Sequence, residues 1–442
     1  MTLFELSATE AISKIRNGEI TSEELIRACL NRIEDVDNDI QAWTHLNPDY
    51  ALEQARILDA QRQKGGPVGP LHGIPIGIKD ICDTSTLPTE NGTVLDSGRQ
   101  PNEDCRIVSL LKEAGAVVMG KTVTTELAAY GPGKTRNPHN PEHTPGGSSS
   151  GSAAAVASHM VPLAIGTQTN GSVIRPASYC GVVGFKPTHG LIPRAGILVQ
   201  SAPLDTVGTF ARSIEDIALL TEILVAYDPG DKHTRPRTRP TLIETADQEP
   251  PMTPVIAFCR TAVWDQAEKE MQEAFSELVE ILGDDCHDVP LTEPFDQTIE
   301  MHSNIMCADL AKNLAGYYGR GKDKMTDTLC KLIEFGKNVS AVDYNKAVEG
   351  RDFLNSSLNS VFDHYDVIIT PAASGEAPFG IDSTGNPVFN TLATYCGTPS
   401  ITLPLMEGPK GLPLGVQVIA PRYDDARLLR TANWLTLRLE ED

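Results

Sequence analysis

The apolar positions of the first 65 residues repeat at the spacing of amphipathic helices. The segments 7–10 and 21–24 each match a capping box, and Gly18 between them suits a helix end. The apolar stripe of the second helix consists of Leu25, Ile26, Cys29, Leu30 and Ile33. This part of the chain is therefore predicted to form two helices.

The pattern changes at about residue 70, and up to about residue 225 short apolar runs alternate with turns rich in Gly, Pro and Ser. The runs cover residues 74–78, 116–119, 161–165 and 182–185. Helical stretches fall between them, at 104–114 and 153–159. Strands that alternate with helices are typical of an α/β sheet protein.

Residues 265–360 have a mostly helical pattern. A stretch rich in Pro and Arg at 228–254 precedes them and is predicted to lie on the surface. Buried strands are then predicted at 365–371 and 414–419. Because strands stand on both sides of the helical stretch, the chain is predicted to form one sheet with an insert rather than two separate domains.

The chain is strongly acidic, with 37 Lys and Arg residues against 59 Asp and Glu residues and a net charge of -22. Such a field repels polyanions, so neither a nucleic acid nor a membrane is expected as a partner. The nine cysteines form no Cys-x-x-Cys pair, and neither a secretion signal nor an apolar run of membrane-spanning length is visible. These features predict a cytoplasmic protein with free, buried thiols.

The segment Thr144–Ala155, rich in Gly and Ser, has three interpretations besides a catalytic one. A flexible linker would join two domains, whereas this segment leads directly into a predicted helix and strand. A phosphate-binding loop would end in Gly-Lys-Ser/Thr, which is missing. A nucleophile elbow centred on Ser149 matches Gly-x-Ser-x-Gly, but three prolines within 137–145 exclude the strand that must precede it.

The segment Gly166–Pro176 follows a predicted strand and holds Ser172 in a loop of Thr, Asn and Gly. Such a loop exposes a hydroxyl together with consecutive main-chain N–H groups, which a tetrahedral oxyanion requires. Ser172 is therefore a candidate nucleophile.

Lys79 stands at the end of an apolar run, where a charged ammonium is costly to bury. It either extends to the surface, pairs with an acid such as Asp80, or stays neutral and acts as a base. A Ser–Lys pair is a known substitute for Ser-His-Asp. Lowering a lysine pKa from about 10.4 to near 7 corresponds to roughly 4–5 kcal/mol, which burial can supply.

In combination, Gly-Ile-Lys79-Asp, Gly-Gly-Ser148-Ser and Gly-Ser172 resemble the amidase signature family. The similarity runs through most of the chain, most strongly at 70–225 and again at 365–420. It implies an α/β amidase signature fold in one domain, with a central twisted mixed β-sheet covered by helices on both faces. The implied divisions of residues 1–442 are N-terminal helices at 1–65, the signature core at 70–225, a variable, mostly helical cap insert at 228–360, and a return to the core sheet at 365–442.

The resemblance also implies the chemistry. Ser172 would attack the carbonyl carbon, Ser148 would relay a proton from a cis peptide with the residue before it, and Lys79 would be the base. The oxyanion hole would consist of the main-chain N–H groups of Thr169, Asn170, Gly171 and Ser172. No cofactor and no metal is implied. His139 and His143 have His-x3-His spacing, but they lie among prolines, so no metal site is predicted there.

The wording of the segment 167–176 most resembles the malonamidase-like branch of small bacterial amidases. Gln168 stands where most members carry Asp, and Asn170 where most carry Gly. Asn replaces Gly best at positive φ, so the loop is expected to keep its shape. In that branch the arginine matching Arg175 binds a substrate carboxylate. The alternative is a structural arginine paired with a buried acid or with carbonyls.

The resemblance predicts a stand-alone hydrolase of amide-type C–N bonds in small or aryl amides, with carbamates (urethanes) and esters as chemical neighbours. Its partners would be a small-molecule substrate and at most a second copy of the chain, as a homodimer. The alternative is the amidase subunit of a tRNA-dependent amidotransferase, which supplies ammonia to a second protein. That role favours the Asp and Gly forms of the 167–176 segment.

Overall fold

The computed structural model describes residues 2–291 and 293–440. Its strands are β1 (Trp43–Leu46), β2 (Pro75–Lys79), β3 (Val117–Thr122), β4 (Leu163–Gln168), β5 (Val183–Lys186), β6 (Thr206–Ala211), β7 (Ile256–Phe258), β8 (Cys286–Asp288), β9 (Val367–Pro371), β10 (Ser400–Glu407) and β11 (Pro413–Ile419). Its α-helices are α1 (Ala8–Asn17), α2 (Ser22–Ile40), α3 (Pro48–Gln63), α4 (Arg106–Glu113), α5 (Ser150–Ala157), α6 (Ile174–Cys180), α7 (Ile214–Leu224), α8 (Leu242–Ala246), α9 (Lys269–Leu282), α10 (Thr298–Asn313), α11 (Ala315–Gly321), α12 (Asp327–Lys337), α13 (Ala341–Phe362), α14 (Thr391–Cys396) and α15 (Asp425–Glu440).

All strands belong to one sheet, in the order β1-β3-β2-β4-β6-β5-β10-β11-β9-β7-β8. The sheet is mixed, because β2 runs parallel to β3 and β4, and β7 runs parallel to β8 and β9, while the other neighbours are antiparallel. The predicted α/β fold, with a central mixed sheet and helices packed on it, is confirmed.

Two parallel strands at the middle of the sheet, β2 and β4, are buried along their whole length. Their continuous apolar sequences suit strands that are covered on both faces. Because the two strands are parallel, their C-terminal residues, Lys79 and Gln168, reach the same edge of the sheet. That edge carries the site described below.

The N-terminal helices begin where the sequence places them. The Ser7 side chain accepts a hydrogen bond from the N–H of Glu10, and Gly18 ends α1 with a φ of 75°. Thr21 precedes α2 in the same way. The prediction for this part is incomplete, because α3 and the edge strand β1 also lie within the first 65 residues.

The helical stretch after residue 265 forms α9 to α13, as the pattern predicts. α10, α12 and α13 share an apolar cluster with α14. The stretch is not only a cap, however, because β8 lies within it and extends the main sheet through β7 and β9. A strand of three residues is too short to show a periodicity of two, so the sequence gives no sign of it. The domain limits stay a prediction.

Within the described residues, no helix is both long and apolar enough to cross a membrane. All nine cysteine side chains are buried and unpaired. The cytoplasmic location stays a prediction.

Candidate active site

Lys79 is the last residue of β2, and its side chain is fully buried. Its Nζ lies 2.7 Å from Ser148 Oγ and 2.8 Å from Thr167 Oγ1. Burial lowers the pKa of Lys79 to about 7, although Cys82 and Asp205 act in the opposite direction. An amine with this pKa is available in its neutral form near neutral pH, where it can accept a proton.

Asp80 does not neutralise Lys79. Its carboxylate lies 3.4 Å from the Nζ of Lys121 and accepts a hydrogen bond from the main-chain N–H of Glu90. Among the residues that the structure describes, no carboxylate forms an ion pair with Lys79. The lysine is therefore buried without a counter-charge, which is why its pKa falls.

Ser148 follows a cis peptide bond, Gly147–Ser148, and is buried. The next residue, Ser149, is engaged by the main chain of Thr167: its Oγ accepts from the Thr167 N–H and donates to the Thr167 carbonyl, both at 3.2 Å. No strand leads directly into Ser149, since β3 ends at Thr122. Both observations argue against a nucleophile elbow at Ser149.

Residues 169–173 form the loop between β4 and α6, and we call them the 169–173 loop. Ser172 is half-buried in it, and its carbonyl accepts a hydrogen bond of 3.4 Å from the N–H of Ser149. This contact brings the segments that carry Ser148 and Ser172 together. In the described part of the chain, the main-chain N–H groups of Asn170, Gly171 and Ser172 have no hydrogen-bond acceptor. These donors are available to a ligand.

Gln168 is more than a departure from the family pattern, because its side chain holds the 169–173 loop at both ends. Its Oε1 accepts from the N–H groups of Val173 and Ile174, at 2.8 and 3.0 Å, at the start of α6. Its Nε2 donates to Thr394 Oγ1 at 2.9 Å. The sequence singles out Gln168 but gives no indication of Thr394, which comes from α14 more than 200 residues later.

Asn170 occupies the loop for a different reason from the one expected. Its φ is not positive, so no left-handed conformation has to be tolerated. The side chain is instead held by the protein: Thr391 Oγ1 donates to its Oδ1 at 2.9 Å, and its Nδ2 donates to the Tyr130 hydroxyl at 3.3 Å. The expectation based on positive φ is wrong, and these side-chain contacts account for an Asn at this position.

Arg175 lies in α6 with 1% of its surface exposed. Its Nη2 donates to the carbonyl of Gly147 at 2.8 Å and to Thr384 Oγ1 at 3.1 Å. Its Nε and Nη1 are buried without any hydrogen-bond partner in the described residues, and burial lowers the pKa of the guanidinium. The carbonyl contact fits the structural alternative, while the two unpaired donors fit a ligand.

A cavity of about 20 Å³ lies beside Ser172. Its walls include Ala128, Tyr130, Asn170 and Arg175. A larger cavity of about 360 Å³ lies on the other side of Thr167 and Thr169, lined by charged side chains that include Arg194, Asp205 and His233. The small cavity limits the group that fits next to Ser172 in this conformation.

The two histidines with His-x3-His spacing bond to carbonyl groups. A ring nitrogen of His139 lies 3.0 Å from the Cys180 carbonyl, and one of His143 lies 2.6 Å from that of Ala377. Within residues 2–291 and 293–440, no group of three or more His, Cys, Asp or Glu side chains is placed to hold a metal ion.

A family model described as Amidase matches residues 24–429. The chain belongs to the Amidase family. Its curated relatives include a subunit of the glutamyl-tRNA(Gln) amidotransferase of Streptomyces coelicolor, which is 33% identical over 97% of this chain and 95% of that protein. The peptide amidase of Stenotrophomonas maltophilia has a similar structure, with 27% identity, a TM-score of 0.85 and coverage of 99% of this chain and 97% of that one.

A second solved structure is described as a vestigial protein complex that reveals the evolutionary origins of an s-triazine catabolic enzyme. It aligns with a TM-score of 0.91 and 25% identity over 97% of this chain and 98% of that one. The predicted amidase signature family is therefore confirmed, together with its enzymatic character. The malonamidase-like branch stays a prediction.

The relatives correct the prediction about partners. We expected a small-molecule substrate, no nucleic acid and at most a homodimer, but the relatives are named as one subunit of an enzyme defined by a tRNA. The error came from the charge of the chain. The net charge of -22 describes this chain alone, whereas in an enzyme of several subunits another chain can carry the contact with a polyanion.

Proposed function

We propose that this chain hydrolyses an amide bond through Ser172, with Ser148 as proton relay and Lys79 as base. The observation that carries the proposal is the buried Lys79 amine, which lacks a counter-charge and lies 2.7 Å from Ser148 Oγ. A lysine in this state is an activating base rather than a structural cation. The contact between Ser149 and Ser172 supports the approach of Ser148 to the nucleophile.

In the proposed mechanism, Ser172 Oγ bonds to the carbonyl carbon of the amide as its proton passes to Ser148, whose own proton passes to Lys79 Nζ. The C–N bond then breaks, and the proton on Lys79 returns through Ser148 to the leaving nitrogen. Water attacks the acyl-enzyme by the same relay and restores Ser172. The carbonyl oxygen, negative in each tetrahedral intermediate, would be stabilised by the unused N–H groups of Asn170, Gly171 and Ser172 and by the N–H of Thr169.

The role proposed for this hydrolysis is that of the amidase subunit of an amidotransferase, in which the ammonia released is used on a partner protein. The support is the similarity, over nearly the full length of both chains, to proteins named as subunits of glutamyl-tRNA(Gln) amidotransferase. A strongly acidic subunit is compatible with such an assembly if a partner carries the tRNA.

A second candidate is a stand-alone amidase of the malonamidase-like branch, acting on an amide that carries its own carboxylate. The unpaired Nε and Nη1 of Arg175, close to Ser172, favour it, since a guanidinium pairs well with a carboxylate. Gln168 and Asn170 also differ from the forms expected of the amidotransferase subunit. Carbamates and esters are alternative substrates, because they pass through the same tetrahedral oxyanion.

The hydrolytic proposal is tested with a fluorophosphonate probe, which labels an activated serine. Wild type should be labelled at a single residue, and Ser172→Ala should not be labelled. Ser152→Ala is a matched control, since Ser152 lies in α5 and its hydroxyl bonds to the Ile165 carbonyl. Labelling of Ser172→Ala at the wild-type rate would exclude Ser172 as the nucleophile.

The two roles are separated by purifying the tagged chain from its source cells and from a heterologous host. An amidotransferase subunit should co-purify with another chain in the source cells and hydrolyse glutamine or asparagine much faster with that chain than alone. A stand-alone amidase should be fully active alone on a panel of malonamate-type acids, anilides, carbamates and esters. In that case Arg175→Met should lose activity selectively on the acidic amides, and Arg175→Lys should retain part of it.

A further inference from the structure

Three consecutive peptide units of the 169–173 loop are held by their carbonyl oxygens. The Thr169 carbonyl lies 2.9 Å from His302 Nε2, and the Asn170 carbonyl accepts from Thr394 Oγ1 at 2.5 Å. The Gly171 carbonyl accepts from the N–H of Arg175 at 3.0 Å. Each carbonyl therefore has a donor, while the N–H group that follows it in the chain has no acceptor among the described residues.

The two ends of a peptide unit cannot be oriented independently. A peptide unit is planar, and in the trans form its C=O and N–H point in opposite directions. The units of the 169–173 loop are trans, because the cis bonds of the described residues are Gly147–Ser148 and Glu293–Pro294. A donor that holds the Thr169 carbonyl on one side thus directs the N–H of Asn170 to the other side.

His302 belongs to α10 and is 2% exposed. Since a carbonyl oxygen can only accept, His302 Nε2 must carry the proton of this hydrogen bond. Burial lowers the pKa of His302 to about 4, so the ring is neutral at physiological pH and serves as a fixed donor. The contact links the helical stretch after residue 265 directly to the loop of the candidate nucleophile.

Thr394 belongs to α14 and is buried. Its hydroxyl accepts from Gln168 Nε2, which leaves its single hydrogen for the Asn170 carbonyl. A chain of hydrogen bonds therefore runs from Gln168 through Thr394 to the peptide unit whose other end is the N–H of Gly171.

We infer that His302 and Thr394 are positioning residues for the oxyanion hole, which direct the N–H groups of Asn170 and Gly171 toward the carbonyl oxygen of the substrate. The inference rests on the proposed function of Ser172. It assigns a role in the reaction to two side chains that do not touch the reacting atoms, one of them contributed by the helical stretch after residue 265.

The test compares Thr394→Val with Thr394→Ser, and His302→Leu with His302→Gln, in the full chain. Val and Leu remove the donor, whereas Ser and Gln keep a hydroxyl or an N–H at a similar position. The readout is the rate of labelling by a fluorophosphonate at several probe concentrations, which separates binding from bond formation. We expect the maximal rate to fall about 10- to 100-fold for Val and Leu with unchanged probe binding, and to stay within about 3-fold of wild type for Ser and Gln.

The pH profile of labelling distinguishes this role from damage to the relay. Because the contacts of Lys79 are untouched, the midpoint near pH 7 should be the same in all four variants. Wild-type rates in Val and Leu, or equal losses in the conservative and non-conservative member of a pair with unchanged melting temperatures, would overturn the inference and leave Ser172 in place. Labelling of Ser172→Ala would instead overturn the proposed function.

Discussion

Lys79 Nζ and Ser148 Oγ lie 2.7 Å apart in a part of the protein that solvent does not reach. The lysine comes from the end of a central strand and the serine from the turn before α5, so the contact joins two elements distant in the sequence. Since no acid compensates the amine, the energetic cost of its charge is what makes it a base near neutral pH.

The rate of the reaction should rise with pH through about 7 and then level off, because only neutral Lys79 accepts a proton. Lys79→Met should remove this rise together with most of the activity. The control is Lys186→Met: Lys186 is also buried with its pKa lowered to about 7, but it lies on β5, three strands away from β2, and bonds to the carbonyl of Thr398. Fluorophosphonate labelling between pH 5.5 and pH 9, a range set by the reference lysine and histidine pKa values of about 10.4 and 6.5, measures both effects. A profile without a midpoint near pH 7 in wild type would contradict this assignment.

The neighbouring serines Ser148 and Ser149 should differ sharply. Ser148→Ala removes the relay and should lower the rate by about 10²- to 10⁴-fold with little change in stability. Ser149→Ala leaves the buried N–H of Thr167 without its side-chain acceptor, so its main effect should be on the free energy of unfolding, by about 1–3 kcal/mol. Labelling kinetics and urea unfolding of the two variants check this. The elbow interpretation would return if Ser149→Ala were the one that abolished labelling.

Gln168→Leu should destabilise the protein by about 2 kcal/mol or more, because it removes the acceptor of two buried N–H groups at the start of α6. Gln168→Glu keeps the acceptor oxygens at the positive end of that helix and should unfold at a urea concentration closer to wild type. Both variants lose the donor to Thr394. Equal stability of the Leu and Glu variants would show that the hydrogen bonds to Val173 and Ile174 contribute little.

The stability of the fold should also depend on the protonation of Lys79. In the unfolded chain a lysine has a pKa of about 10.4, whereas in the folded protein that of Lys79 is about 7. Between these values the unfolded state binds more protons, so the free energy of unfolding rises with pH. Urea unfolding at pH 7 and pH 8.5 should show a smaller rise in Lys79→Met than in wild type, by up to about 1.4 kcal/mol per pH unit. An unchanged difference between the two pH values would contradict the lowered pKa.

The sequence predicts the parts of the site that use local motifs. Lys79, Ser148 and Ser172 each stand in a short segment whose residue types are unusual for a strand end or a turn, and the structure places Lys79 beside Ser148 and the turn of Ser148 beside the 169–173 loop. His302 and Thr394 have no such signal, because a histidine in one helix and a threonine in another look ordinary until the fold brings them to the loop. Three-residue strands such as β7 and β8 are likewise defined only by their pairing.

The ends of the sheet have a consequence for the behaviour of the protein at high concentration. An open sheet of eleven strands has two edges whose main-chain groups could pair with another molecule. Here the outermost strands, β1 and β8, have four and three residues, and the exposed side chains of His287 and Asp288 lie on β8. Such short and polar edges give a second sheet too little backbone to add to, so aggregation by edge-to-edge strand addition is disfavoured.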